Sequence, residues 1–190
     1  MDALVFFIEA MLRATAVFVT AVFLGGPEWP FLALLVVAAV IDVRQRRLPN
    51  PLAIALVLVA ALVALHPALF RLLDWFHWGL TAPDPLWGDL ARNLVAAAAV
   101  TALLVAVELV WRRLRREAGI GMGDAKLLFA LVLADPVRGF AAFAGGLVLL
   151  GVGCLVLHRR NLPLIPFVVP LWAVGLAWWL YAFASQTMTG

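Results

Sequence analysis

Gly121-Met122-Gly123-Asp124-Ala125-Lys126 is a short polar stretch wedged between Arg112-Arg113-Leu114-Arg115-Arg116 and an apolar run that reaches Ala134. It puts a carboxylate where hydrocarbon begins, and an ionisable side chain at that depth is costly enough that its default reading is function. A second acid, Asp42, occupies a matching position: it ends an apolar run and is followed by Arg44, Arg46 and Arg47. The fold matters chiefly for whether these two carboxylates can meet.

The flanking composition sets the class. Of 190 residues, 66% are hydrophobic and 13% charged, and the mean hydropathy is +1.06; a soluble domain would carry about a quarter charged residues. The chain is expected to be all-α, a polytopic membrane helical bundle forming one integral-membrane domain over residues 1–190. The net charge of +3 does not indicate nucleic acid, because the arginines fall in short clusters between apolar runs and form no single basic face. One cysteine, Cys154, lies inside an apolar run. It offers no intrachain disulfide and no Cys-x-x-Cys spacing, and no metal or other cofactor is expected. Met1-Asp2 lacks a basic flank, and Glu9 and Arg13 interrupt the first apolar run, so that run does not read as a cleaved signal peptide.

Working outward, about seven apolar segments are expected, giving six to seven spans, since about 20 helical residues cross a bilayer core. The first covers residues 3–24, with Glu9 and Arg13 four apart on one face and able to pair. Gly25 to Pro30 reads as a turn. The second runs from Phe31 to about Arg46 and is broken by Leu48-Pro49-Asn50-Pro51. The third covers residues 52–65. Residues 66–89, with Trp75, Trp78 and Trp87, read as an interfacial, solvated segment. The fourth is Leu90 to Trp111, whose Ala91, Val95, Ala98, Ala99, Ala102 and Ala106 stripe suits close approach by another helix. The short fifth ends at Asp135-Pro136. The sixth is Phe140 to Leu157, where Gly145, Gly146, Gly151 and Gly153 suggest tight packing. The seventh is residues 164–184, with Pro163, Pro166 and Pro170 expected to kink or unwind its first turns.

If the segments alternate, the arginine clusters at 44–47, 112–116 and 159–160 share one side, and that side is cytoplasmic by the positive-inside rule. Asp42 then ends a helix arriving at this face and Asp124 begins one leaving it, with one outward and one inward crossing between. Two carboxylates brought together can share a proton; one then activates water while the other protonates or polarises a carbonyl. That is the chemistry of aspartyl peptide hydrolysis. The helix ends also predict an inequality: Asp124 faces the partial positive charge of a helix N-terminus, and Asp42 the carbonyl end of its own helix.

Asp42-Val43-Arg44-Gln45-Arg46-Arg47-Leu48-Pro49-Asn50, the Gly-x-Gly-Asp run ending at Asp124, and Ile165-Pro166-Phe167 together resemble the type IV prepilin peptidases over residues 31 to 184. The family commonly continues Ile-Pro-Phe with Gly-Pro, whereas this chain has Val168-Val169-Pro170. The resemblance implies a membrane aspartyl endopeptidase with Asp42 and Asp124 as catalytic residues. It implies prepilin-like membrane proteins as substrates, cut at their short basic leader near the cytoplasmic face of a bacterial inner membrane. Larger family members carry a cysteine-rich part that accompanies N-methylation. Nothing in residues 1–190 corresponds to it, and the chain looks like the short, peptidase-only form of tight-adherence (Flp-type) pilus systems.

Gly121 and Gly123 are expected to bind substrate, because a backbone that a peptide strand approaches closely is best served by residues without Cβ. Lys126, two positions from Asp124, points about 200° around a helix from it and reads as an interfacial anchor. Glu108 is a third acid near the same face, with Arg112 four residues on as its expected partner. Two other functions remain open at this level. A presenilin-like intramembrane protease would place its acids deeper in the bilayer, and a non-catalytic transporter or pilus-assembly scaffold would use them to bind protons or cations.

Overall fold

A computed structural model of the chain describes residues 26–45, 48–78, 87–115, 121–158 and 162–188. The apolar run 3–24, with Glu9 and Arg13, lies outside the described residues, as do Arg46, Arg47, Arg116, Arg159 and Arg160. What is described is entirely helical: α1 (Glu28–Gln45), α2 (Asn50–Trp78), α3 (Gly88–Arg115), α4 (Met122–Ala134), α5 (Pro136–Leu157) and α6 (Ile165–Met188). Three stretches are long and apolar enough to cross a membrane, Asn50–Leu69, Gly88–Leu114 and Pro136–Leu157. The chain is a helical membrane protein.

Of the seven expected apolar segments, six fall among the described residues as these six helices, and the first lies outside them. The shortest, α4, has 13 residues, about 20 Å of helix against a hydrocarbon core of about 30 Å. Its apolar character has a different cause: eight of its residues, among them Leu127, Leu128, Leu131 and Val132, are buried inside the protein.

α4 is the inner helix on which α2, α3 and α5 pack, and hydrogen bonds at its two ends fix their directions. At its start, Lys126 Nζ donates to Asn50 Oδ1 at 2.6 Å, so α2 begins where α4 begins. At its end, the buried Asn93 Nδ2 donates to the Leu133 carbonyl at 3.2 Å, so α3 begins where α4 ends. This contact satisfies one of the carbonyls that a helix C-terminus leaves without an internal partner. α2 and α3 thus carry the chain away from the start of α4 and back to it. The next reversal is abrupt. Asp135 closes α4 with its N–H on Leu131 O and caps α5 by accepting from Arg138 N–H. Gly139 is required there, because a Cβ would collide with the Leu131 carbonyl.

α6 lies antiparallel against α5, and α1 against α6. Phe31 meets Trp172 edge to face at 5.0 Å, and the Arg138 guanidinium lies 5.5 Å from the Trp172 ring centroid. Arg138 is also ion-paired to Asp135 at 3.4 Å. These contacts tie α1, α5 and α6 together at the end of the bundle away from Asp124.

Three local expectations are corrected. Residues 66–78 are not a solvated loop but a continuation of α2 through Pro67; the loss of one internal hydrogen bond there does not end the helix. Pro166 and Pro170 do not unwind the last helix, which is helical from Ile165. Pro166 falls in the first turn, where a missing N–H has no internal partner to lose. The alanine stripe of α3 faces outward: Ala91, Val95, Ala98, Ala99, Ala102 and Ala106 are all exposed, whereas Asn93, Ala97 and Glu108 are buried. In a bilayer lipid is as apolar as a neighbouring helix, so an apolar stripe does not say which of the two it meets.

Candidate active site

Asp124 is the third residue of α4, and its carboxylate reaches back to accept the N–H of Gly121 at 3.1 Å. This is half of a capping box; a serine or threonine at the cap would return the bond, but Gly121 has no side chain to do so. The helix starts regardless, with Asp124 N–H donating to Gly121 O at 3.0 Å. Gly121 lies at φ −76 and ψ 149, an extended conformation open to any residue, so its lack of a Cβ is not a conformational need. Gly121 is exposed. Gly123 faces inward instead: a Cβ there would lie 3.5 Å from Leu48 Cβ, in ordinary contact with the turn that follows Asp42.

Asp42 lies in the last turn of α1. Its own helix offers carbonyl oxygens at that end and no free donor, and its Oδ2 accepts the N–H of Ile165, the first residue of α6, at 3.3 Å across 123 positions of sequence. Both carboxylates therefore stand at helix N-termini, Asp124 at that of α4 and Asp42 at that of α6. The inequality expected from the helix ends loses its basis, because the α6 N-terminus supplies to Asp42 what the α1 C-terminus withholds.

The structure brings the two acids to one end of the bundle. Both are partly buried, and the α4 start meets the turn after Asp42 where Gly123 faces Leu48. Two carboxylates that meet there disfavour simultaneous ionisation, which is the condition for a shared proton. Arg44 and the Arg112-Arg113 pair belong to the helix ends at this same level.

Glu108 pairs with Arg112 as expected, and Lys126 is placed away from Asp124. Glu108 Oε1 accepts from Arg112 Nε at 2.6 Å, with Glu108 buried and Arg112 half exposed. Lys126 bonds Asn50 and not Asp124. It lines, with Ala53, Val57, Thr101 and Phe129, an apolar groove of about 590 Å³ between α2, α3 and α4. Positions 122, 125, 126 and 129 face this groove, so Asp124 points from the other side of α4.

The contribution that residue types did not reveal is the N–H of Ile165. Ile165-Pro166-Phe167 stood out only as part of a motif, since a main-chain donor has no side-chain signature.

No curated protein and no solved structure matches the chain. Residues 29–188 match the type IV leader peptidase family, a span that takes in both aspartates, the Gly121–Asp124 run and Ile165. With the whole helical bundle and its acid pair inside the matched region, the chain belongs to the type IV leader peptidase family.

Proposed function

We propose that the protein is a membrane aspartyl endopeptidase that removes the short basic leader of prepilin-like proteins, with Asp42 and Asp124 as its catalytic pair. The observation that carries this is the convergence of two carboxylates from α1 and α4, each anchored by a main-chain N–H, at one end of a membrane bundle. With one proton between them, the ionised carboxylate takes a proton from water as the water oxygen attacks the scissile carbonyl carbon. The protonated partner donates to the carbonyl oxygen. The tetrahedral adduct then collapses as its C–N bond breaks: the newly protonated carboxyl group delivers its proton to the leaving nitrogen, and an adduct hydroxyl gives its proton to the ionised carboxylate as the carbonyl re-forms, so the pair again holds one proton. No metal or other cofactor enters this scheme.

Both acids lie within a turn of a helix end, Asp42 three residues before Gln45 and Asp124 two after Met122. That placement favours a peptide bond at the membrane boundary over one in mid-bilayer. Arg44 and the arginines from Arg112 at the ends of α1 and α3 support the cytoplasmic face as that boundary, and the family reading makes the membrane a bacterial inner membrane. Exposed Gly121 lets the substrate strand come close to the site.

The test is leader removal from a co-expressed prepilin, read by mass. The parent should trim it, and Asp42→Asn and Asp124→Asn should each leave it intact at unchanged protein level. Cleavage by either variant at the parent rate would refute the pair. In a Cys154→Ala background, Leu114→Cys should label from the cytoplasm and Val137→Cys from the opposite side; labelling of both from one side would refute the orientation.

A further inference from the structure

Asp42 depends for its donor on a helix remote in sequence, and what holds that helix in place is visible in α5. Val168 of α6 is fully buried and rests on Gly146; a Cβ at 146 would stand 2.6 Å from Val168 Cγ2 and 3.4 Å from the Val168 Cα and N. Gly145 faces Leu171 and Gly153 faces Phe167 in the same way, with a Cβ at 2.8 Å and 3.2 Å respectively. Gly151, the other glycine of this half of α5, has nothing within 4 Å. Three glycines thus let the first two turns of α6 seat against α5. Val168 is branched at Cβ and cannot swing aside cheaply, so an added methyl at 146 must displace the α6 backbone. The first group to feel that displacement is the α6 N-terminus. Ile165 offers its N–H to Asp42, Pro166 has none to offer, and the N–H of Phe167 is already on Leu164 O at 3.0 Å.

We infer that Ile165 is a positioning residue of the active site: its main-chain N–H, set at its depth by Val168 seated on Gly146, orients the Asp42 carboxylate toward Asp124. The inference rests on the proposed function for its kinetic consequence, but the contact itself is read independently of activity. A carboxylate without this donor would be free to rotate about its side-chain torsions, and misplacement of a reacting group by about 1 Å can cost a hundredfold in rate.

The test replaces the amide at position 165 by an ester, using the α-hydroxy analogue of isoleucine in the full-length protein made cell-free into lipid nanodiscs. The side chain is kept, the N–H is lost, and the Leu164 carbonyl remains as a weaker acceptor for the Phe167 N–H. Infrared difference spectra of aspartate-labelled protein, with Asp42→Asn to assign the band, report the Asp42 carboxylate. Prepilin cleavage gives kcat and KM. The inference predicts a shifted Asp42 band and a kcat lower by about tenfold or more, with KM within about twofold of the parent. An unmoved band with parental kcat would overturn it.

A second series reaches the contact from α5 and covers failure of the ester protein to insert. Gly146→Ala should shift the same band and lower kcat similarly, adding Val168→Ala should restore both, and Gly151→Ala should change neither. A Gly146→Ala protein with parental band and kcat would overturn the inference. Should Asp42→Asn cleave like the parent, it is the catalytic assignment that fails, and the band alone then decides the contact.

Discussion

The two acids are held by opposite means. Asp124 is anchored within its own helical turn, three residues from the Gly121 N–H it accepts, and moves with α4 as a unit. Asp42 is anchored across 123 positions to Ile165, so its geometry is a property of how α1, α5 and α6 pack. One site therefore contains a locally specified carboxylate and a globally specified one. Perturbing the scaffold should reach Asp42 first, while perturbing the cap should reach Asp124 alone.

The largest effect expected is on the scaffold itself. A Cβ at Gly139 would collide with Leu131 O and lie 2.7 Å from Val132 N, backbone atoms of α4 that cannot turn away. Gly139→Ala should therefore drive α5 off α4 and destabilise the protein by more than about 4 kcal/mol, the range reserved for core overpacking and backbone conflict. Thermal unfolding in detergent checks this, and a melting temperature within a few degrees of the parent would break the account of the α4–α5 reversal.

The local anchor should matter less. Gly121 already has φ −76, which proline adopts without strain, so Gly121→Pro removes the N–H that Asp124 accepts while leaving the turn in place. Asp124 keeps the unpaired N–H groups of the first turn of α4 nearby, and kcat should fall by only about threefold to fivefold, as for the loss of one moderate hydrogen bond. A fall larger than that caused by the ester at 165 would reverse the comparison between the anchors.

The smallest effect is expected at Glu108, the third acid near this end. Its bond to Arg112 at 2.6 Å explains its presence without chemistry. Glu108→Gln keeps an acceptor for Arg112 and should hold kcat/KM within about threefold of the parent, a difference below 1 kcal/mol. Loss matching that of the aspartate variants would add a third acid to the site.

The same contrast explains what could be read in the sequence. Apolar segments, the turn at Pro49-Asn50, the Gly-x-Gly-Asp helix start and the Glu108–Arg112 pair are local features, each announced by residue types within a few positions, and the structure contains them. The two acids at one end followed from counting crossings between them. What could not be read was long-range or relative to the solvent. The donor for Asp42 is a main-chain group from another helix. The outward face of the α3 alanines was hidden because lipid and protein select the same apolar side chains. The burial of α4 was hidden because a helix wrapped by protein and one wrapped by lipid are equally apolar; its packing against α2, α3 and α5 tells them apart. The continuation of α2 past residue 65 was hidden too, because Trp75 and Trp78 suit the headgroup level whether they lie on a loop or on the end of a helix.

The central claim is that Asp42 and Asp124 act as one catalytic unit, and it is tested most directly by a double-mutant cycle on prepilin cleavage. Single-turnover rates would be measured for the parent, Asp42→Asn, Asp124→Asn and the double variant in the same nanodiscs, with each protein quantified. Residues that act as a unit are grossly non-additive. Each single variant should lose at least about a thousandfold, within the range of concerted acid–base catalysis, and the double variant should lose no more than about threefold beyond the worse single one. Losses that multiply in the double variant, or a single variant that retains a tenth or more of the parent rate, would contradict the claim.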